Sequence, residues 1–104
     1  MPTKELAGAT IDLTDEGYLT DHSQWNRDVA VEIAREEGIE MTDGHWKVID
    51  FIIADYAEKQ VVPGMRRMNK VGGIPTKDLY GLFPGGPIKK ASRIAGLPKP
   101  ASCV

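Results

Sequence analysis

One cysteine, two histidines and seven aromatic side chains are all this 104-residue chain holds of the groups that usually build redox, metal and stacking sites. A lone cysteine excludes an internal disulfide, and one thiol with two histidines falls short of the ligand sets of a zinc site. Neither a metal nor a cofactor is therefore expected. No apolar run approaches the roughly 20 residues of a membrane helix, so no membrane association is expected. Residues 1–13, MPTKELAGATIDL, lack the basic-then-apolar order of a secretory signal, which makes the cytoplasm the expected location. Gly85-Gly86 has neither the glycine spacing nor the Lys-Ser/Thr ending of a phosphate-binding loop. No internal repeat or low-complexity segment is present. A composition of 41% hydrophobic and 27% charged residues is that of an ordinary soluble domain, and the length suffices for one core and not two.

The net charge of −2 hides a sharp segregation. Residues 1–60 carry fourteen acids against five bases, whereas residues 61–104 carry eight bases against Asp78 alone. Either the basic half faces an anionic partner, or the two halves attract each other within the fold.

Apolar periodicity and capping signals give a mainly α reading: a small orthogonal bundle of about five helices with an N-terminal β-hairpin. Residues 4–20 alternate in short stretches broken at Ala7-Gly8 and Asp15-Glu16-Gly17, the pattern of a hairpin and a following turn. Asp21 or Ser23 is placed to cap a first helix over 23–37, with Trp25, Val29 and Ile33 at four-residue spacing and Gly38 at its end. Thr42 caps a longer, central helix bearing Trp46, Ile49, Ile53 and Tyr56 on one face. A third, short helix is expected from Pro63 to Gly72-Gly73, and a fourth from a Thr76 cap through Leu79, Leu82 and Phe83. A fifth is expected from Pro87 through Ile94 and Ala95 to Gly96. Trp25, Trp46, Tyr56, Leu79 and Phe83 are the expected core.

Residues 1–96 thus read as the helical domain and 97–104, LPKPASCV, as a mobile C-terminal arm. Pro98 and Pro100 prevent the arm from continuing the helix or entering a sheet, and favour an extended path that would carry Cys103 about 20–25 Å from the last helix. A thiol on such a stalk can enter another protein's active site, whereas a buried thiol cannot. The plain alternative is that a lone cysteine is a small buried apolar residue, but a place so near the end of the chain favours exposure and use. Arg66, Arg93 and Lys99 are the bases available to contact the arm or an anionic sulfur species. No Cys–His pair is visible, since His22 and His45 both sit near expected helix starts.

DEGYL at 15–19, Trp25, TDGHWKVIDF at 42–51, Pro63 with Arg66, LYGLFPGGP at 79–87 and IAGLPKPASCV at 94–104 together resemble the DsrC/TusE family. That family comprises the gamma-subunit-like proteins of dissimilatory sulfite reductase and the TusE sulfur-relay proteins. The last two blocks are the specific ones. The resemblance implies that Cys103 carries persulfide sulfur, so that the protein acts as a sulfurtransferase in the sense of a carrier and co-substrate. It also implies a sulfur-donor complex of the TusBCD/DsrEFH type. The implied acceptor is a tRNA-thiolating enzyme making 2-thiouridine, or, in the other branch, sulfite reductase or a sulfur-oxidation pathway. Family members that serve sulfite reductase carry a second cysteine where this chain has Ser92, and a serine cannot join a disulfide cycle. The compact stretch between Lys70 and Leu79 likewise favours the TusE-like relay.

Two rivals remain. The third and fourth helices invite a helix-turn-helix, DNA-binding reading, but TKDLYGLF offers no Arg, Asn or Gln to read base edges. Weak contact of the basic half with tRNA phosphates is the milder form of that idea. A purely regulatory binding module would dock its arm without transferring sulfur. Oligomeric state is open, since Cys103 can also link two chains by oxidation.

Overall fold

Ala7 and Gly8 turn the chain back on itself. Their φ values of 52° and 79° are the paired left-handed conformations that a two-residue hairpin connection needs. The computed structural model describes residues 3–100. Strand β1 (Thr3–Leu6) pairs antiparallel with β2 (Ala9–Asp12), with Leu6 opposite Ala9 and Lys4 opposite Ile11. This register puts Leu6 and Ile11 on one face, and both are buried. Beyond the hairpin, a single bridge between Leu13 and Leu19 closes the Asp15-Glu16-Gly17 turn.

Five α-helices follow, as the periodicity requires, but the first begins later than its capping signals indicate. Asp21 does cap, yet only a single 3-10 turn, His22–Gln24, whose Ser23 N–H it accepts at 3.0 Å. Trp25 is extended, and Asn26 starts α1 (Arg27–Glu36) by accepting the Val29 N–H at 2.9 Å. The expected start at residue 23 is thus corrected to 27. Two capping residues compete within five positions, and the Trp25 ring is bound to another element. Helix α2 (Asp43–Lys59) runs from Thr42 as expected and ends at Gln60, which adopts the left-handed conformation.

Helix α3 (Met65–Lys70) starts two residues after Pro63, with Gly64 at its N-cap, so Pro63 is not in its first turn. Helix α4 (Thr76–Leu82) has Pro75, not Thr76, at the cap position. The Thr76 hydroxyl is spent on Asn69 Oδ1 at 2.9 Å. Helix α5 (Pro87–Ile94) opens with Pro87 in its first turn, where the missing N–H costs nothing.

One core joins all these elements. Val29 and Ile33 of α1, Val48, Ile49 and Ile52 of α2, Leu79 of α4 and Ile88 and Ile94 of α5 are buried together with Phe83. Of the five residues expected there, Leu79 and Phe83 are fully buried, whereas Trp25, Trp46 and Tyr56 are only half-buried against its edge. Trp46 carries the Arg27 guanidinium 4.4 Å above its ring, and an indole edge open to water permits this. Among the described residues, no helix is long and apolar enough to cross a membrane.

Candidate functional site

Cys103 lies outside the described residues, as does the tip of the expected arm. The described chain shows how that tip is launched. Helix α5 ends in a Schellman motif: Gly96, at φ 71°, donates to the Arg93 carbonyl at 3.2 Å, and Leu97 donates to the Ser92 carbonyl at 3.0 Å. Leu97 is 2% exposed, and Pro100 is also buried. Of the residues assigned by sequence to the arm, Leu97 and Pro100 are thus buried, whereas Pro98 and Lys99 are exposed.

Two aromatic rings hold this exit. Trp25 Nε1 donates to the Ile94 carbonyl at 2.7 Å. A Cβ added to Gly96 would lie 2.5 Å from Trp25 Cδ1, so the indole occupies the space a side chain would need. His22 stacks on Trp25, with centroids 5.6 Å apart and planes 12° from parallel. Its Nδ1 is 3.0 Å from the Gly96 carbonyl oxygen. A carbonyl only accepts, so Nδ1 carries the hydrogen. Beside these rings lies an open, largely apolar cavity of about 410 Å³, lined in part by Leu19, Ile53, Tyr56, Leu97 and Pro98.

Arg93 and Lys99 both meet acids around the same end of the molecule. Arg93 Nη1 donates to Glu37 at 2.5 Å, Nη2 to Glu36 at 2.8 Å and Nε to the Gly17 carbonyl at 3.1 Å. Partial burial works against the charge on Glu36, but hydrogen bonds from Lys4 and Arg93 outweigh it and hold this carboxyl below its ordinary range. The Gly17 of DEGYL now has a physical reason: at φ 88°, a Cβ there would stand 2.8 Å from Arg93 Nε. Its neighbour Tyr18 is buried, and burial followed by the nearby Glu16 charge pushes the phenol up. Lys99 pairs with Glu16 at 2.9 Å. Arg66 is elsewhere, exposed on α3, and has no ion-pair partner among the described residues.

These pairs bear on the charge segregation. Arg67, Lys90, Arg93 and Lys99 from the basic half all bind acids of the other half: Asp55, Glu37, Glu36 with Glu37, and Glu16. Attraction within the fold therefore absorbs part of the imbalance. Arg66, Lys70, Lys77 and Lys89 remain exposed without an ion pair among the described residues. Arg66 and Lys70, four apart on α3, share one helix face.

Sequence reasoning missed three arrangements. His22 and Trp25 were not connected to the arm, because their partners are some seventy residues away and no local pattern marks them. Asp55, on the inner side of α2, is bidentate to Arg67, with Nη2 at 2.6 Å and Nε at 2.8 Å. Arg67 holds its carboxyl below the ordinary range against the cost of burial. His45 accepts the Thr42 N–H on Nδ1 at 3.1 Å, so Nε2 is its protonated nitrogen and donates to the Leu82 carbonyl at 2.7 Å. The one available signal was its third position after Thr42, where a capping side chain is common. Ser92 is fully buried, and its hydroxyl donates to the Ile88 carbonyl at 2.7 Å. Among the described residues, no group of three or more His, Cys, Asp and Glu is placed to hold a metal.

Against known proteins, the family profile described as "DsrC like protein" matches residues 5–104. Sulfurtransferase TusE of Escherichia coli (strain K12) is 42% identical over 104 residues, 93% of this chain and 95% of the relative. The solution structure of DsrC from Allochromatium vinosum superposes with a TM-score of 0.82 at 39% identity, covering 98% of this chain and 97% of that one. The oxidised gamma-subunit of dissimilatory sulfite reductase (DsrC) from Archaeoglobus fulgidus gives 0.80 at 35% identity, covering 99% and 100%.

Proposed function

This chain belongs to the DsrC-like family, and from that premise we propose that it is a sulfur carrier whose working group is the Cys103 thiol. The observation that carries the reading is likeness to a sulfurtransferase along nearly the whole chain, in a protein with only one thiol. In the proposed step, the Cys103 thiolate attacks the outer sulfur of a donor persulfide. The donor's S–S bond breaks, its cysteine leaves as thiolate, and Cys103 becomes the persulfide. No net oxidation occurs. The acceptor then takes that outer sulfur in the same way.

A TusE-like relay is the more specific form: a TusBCD-type complex donates, and a tRNA-thiolating enzyme accepts, in the cytoplasm. The alternative is the two-thiol cycle of proteins that work with sulfite reductase. Ser92 weighs against it, because this position offers a buried hydroxyl already bonded to Ile88 and no second sulfur. Arg66, exposed and without an ion pair among the described residues, is the base best placed to meet an anionic acceptor or tRNA phosphate. Arg93 and Lys99, paired with acids near the exit, are proposed to steady the arm's surroundings.

Intact-protein mass spectrometry after exposure to a persulfide donor tests the reading. The expected result is a gain of about 32 Da that reductant reverses and Cys103→Ser abolishes. If the wild-type protein gains nothing while Cys103 alkylates readily, the carrier reading is wrong and a docking role replaces it.

A further inference from the structure

Helix α5 is already closed by its own Schellman bonds, so it needs nothing from His22. Yet the His22 ring bonds the carbonyl of Gly96, the residue at which the chain leaves the helix. His22 is exposed and sits on a single 3-10 turn, a poor place for a residue serving only stability. Building on the carrier reading, we propose that His22 is a positioning residue for sulfur transfer. Its Nδ1–H bond to the Gly96 carbonyl, from a ring stacked on Trp25, sets the direction in which the arm leaves the body.

The path beyond Gly96 can transmit such a setting. Pro98 and Pro100 fix two φ angles in four residues, which makes 97–100 a short stiff rod of about 12 Å at ~3.1 Å per residue. A rotation of about 20° at its root would displace Pro100 by about 4 Å, enough to unseat a buried ring. The root is held on three sides: Trp25 on the Ile94 carbonyl, the Ser92 carbonyl on the Leu97 N–H, and His22 on the Gly96 carbonyl. The first two close the helix end. The His22 bond grips the carbonyl of the same Gly96–Leu97 peptide whose N–H is held by Ser92, and alone reaches that outgoing peptide from outside α5, so it adds the second hold that fixes its direction.

Because Cys103 is the chain's one thiol, a fluorophore on it reports arm freedom through time-resolved anisotropy. His22→Leu removes the donor, whereas His22→Asn places an amide N–H near the position of Nδ1. The full-length variants are compared in label anisotropy, in sulfur uptake from a protein-bound persulfide, and in alkylation by iodoacetamide. His22→Leu is expected to widen the cone swept by the label and to slow uptake from the protein donor by about fivefold or more. Alkylation by the small reagent should stay within about twofold, because it requires no docking geometry. His22→Asn is expected to restore both the cone and the rate. Unchanged protein-to-protein transfer in His22→Leu overturns the proposal whatever the cone does, as does failure of His22→Asn to restore it. If wild type accepts sulfur from no donor, the carrier reading itself fails, and an unchanged cone in His22→Leu would then dispose of the positioning role independently.

Discussion

The indole of Trp25 and the α-carbon of Gly96 are in such close contact that a methyl group on Gly96 would meet Cδ1, Cγ and Cβ of Trp25 all within 3 Å. Gly38 ends α1 with the same Schellman geometry at φ 75°, but open space surrounds its α-carbon. The two glycines therefore separate conformational strain from steric exclusion. Gly38→Ala should cost about 1 kcal/mol, the strain alone. Gly96→Ala should cost at least about 2 kcal/mol more, because it must also push Trp25 off the Ile94 carbonyl. Urea unfolding of the two variants measures the difference, and equal costs would mean that the indole moves aside freely.

His45 links the start of α2 to the end of α4 through both ring nitrogens, and its edge meets Phe83 with centroids 5.1 Å apart. Replacing it by leucine keeps the bulk but leaves the Thr42 N–H and the Leu82 carbonyl without this partner. The expected loss is about 2 kcal/mol, or a melting temperature lower by roughly 10 °C. Thermal denaturation at neutral pH checks this. A shift under about 2 °C would show that water substitutes fully for the ring.

Acid sensitivity should centre on Asp55 and Glu36. Both carboxyls titrate below their ordinary values in the folded protein, chiefly through Arg67 for Asp55 and through Lys4 and Arg93 against burial for Glu36. A depressed folded pKa means that the unfolded chain binds protons first. The stability these groups contribute is complete above the ordinary carboxylate range near pH 4 and drains away as pH falls through the lower, folded values. Asp55→Asn should therefore be less stable than wild type at pH 7 and should lose less between pH 7 and pH 3. Parallel stability curves for the two proteins would refute this assignment.

Ala7 occupies a left-handed position that asparagine or glycine fills more readily. Ala7→Asn should stabilise the protein by about 0.5–1 kcal/mol without altering the Leu6 to Ala9 register. Denaturant midpoints together with the amide chemical shifts of β1 and β2 provide the check.

The helical frame was legible because its signals are local: Thr42 before an apolar stripe, Pro87 at a first turn, Gly38 and Gly96 just past two last turns. The start of α1 was misread because Asp21 and Asn26 carry similar capping chemistry, and only tertiary contact decides between them. Trp25 fits the helical period yet serves a carbonyl on α5, so periodicity assigned it to the wrong element. The proposal for the Cys103 thiol rests on its place in the sequence and on the family resemblance, since Cys103 lies outside the described residues. The apparatus at the root of the arm was not legible, because His22, Trp25, Ile94 and Gly96 come together only when the first quarter of the chain packs against the last. Likewise, charge counting exposed the segregation but not which bases the fold consumes.

Burial of Pro100 changes what kind of courier this protein is. Two residues, Ala101 and Ser102, separate Pro100 from Cys103 in the sequence, a leash of at most about 11 Å. On the proposal that Cys103 carries the sulfur, the thiol's effective concentration at a seated partner's site is bounded by that short length of chain. Such a courier is fast over a short distance but cannot probe a deep channel. Any enzyme it serves must either present its sulfur-accepting group near the surface or lift Pro100 from its seat.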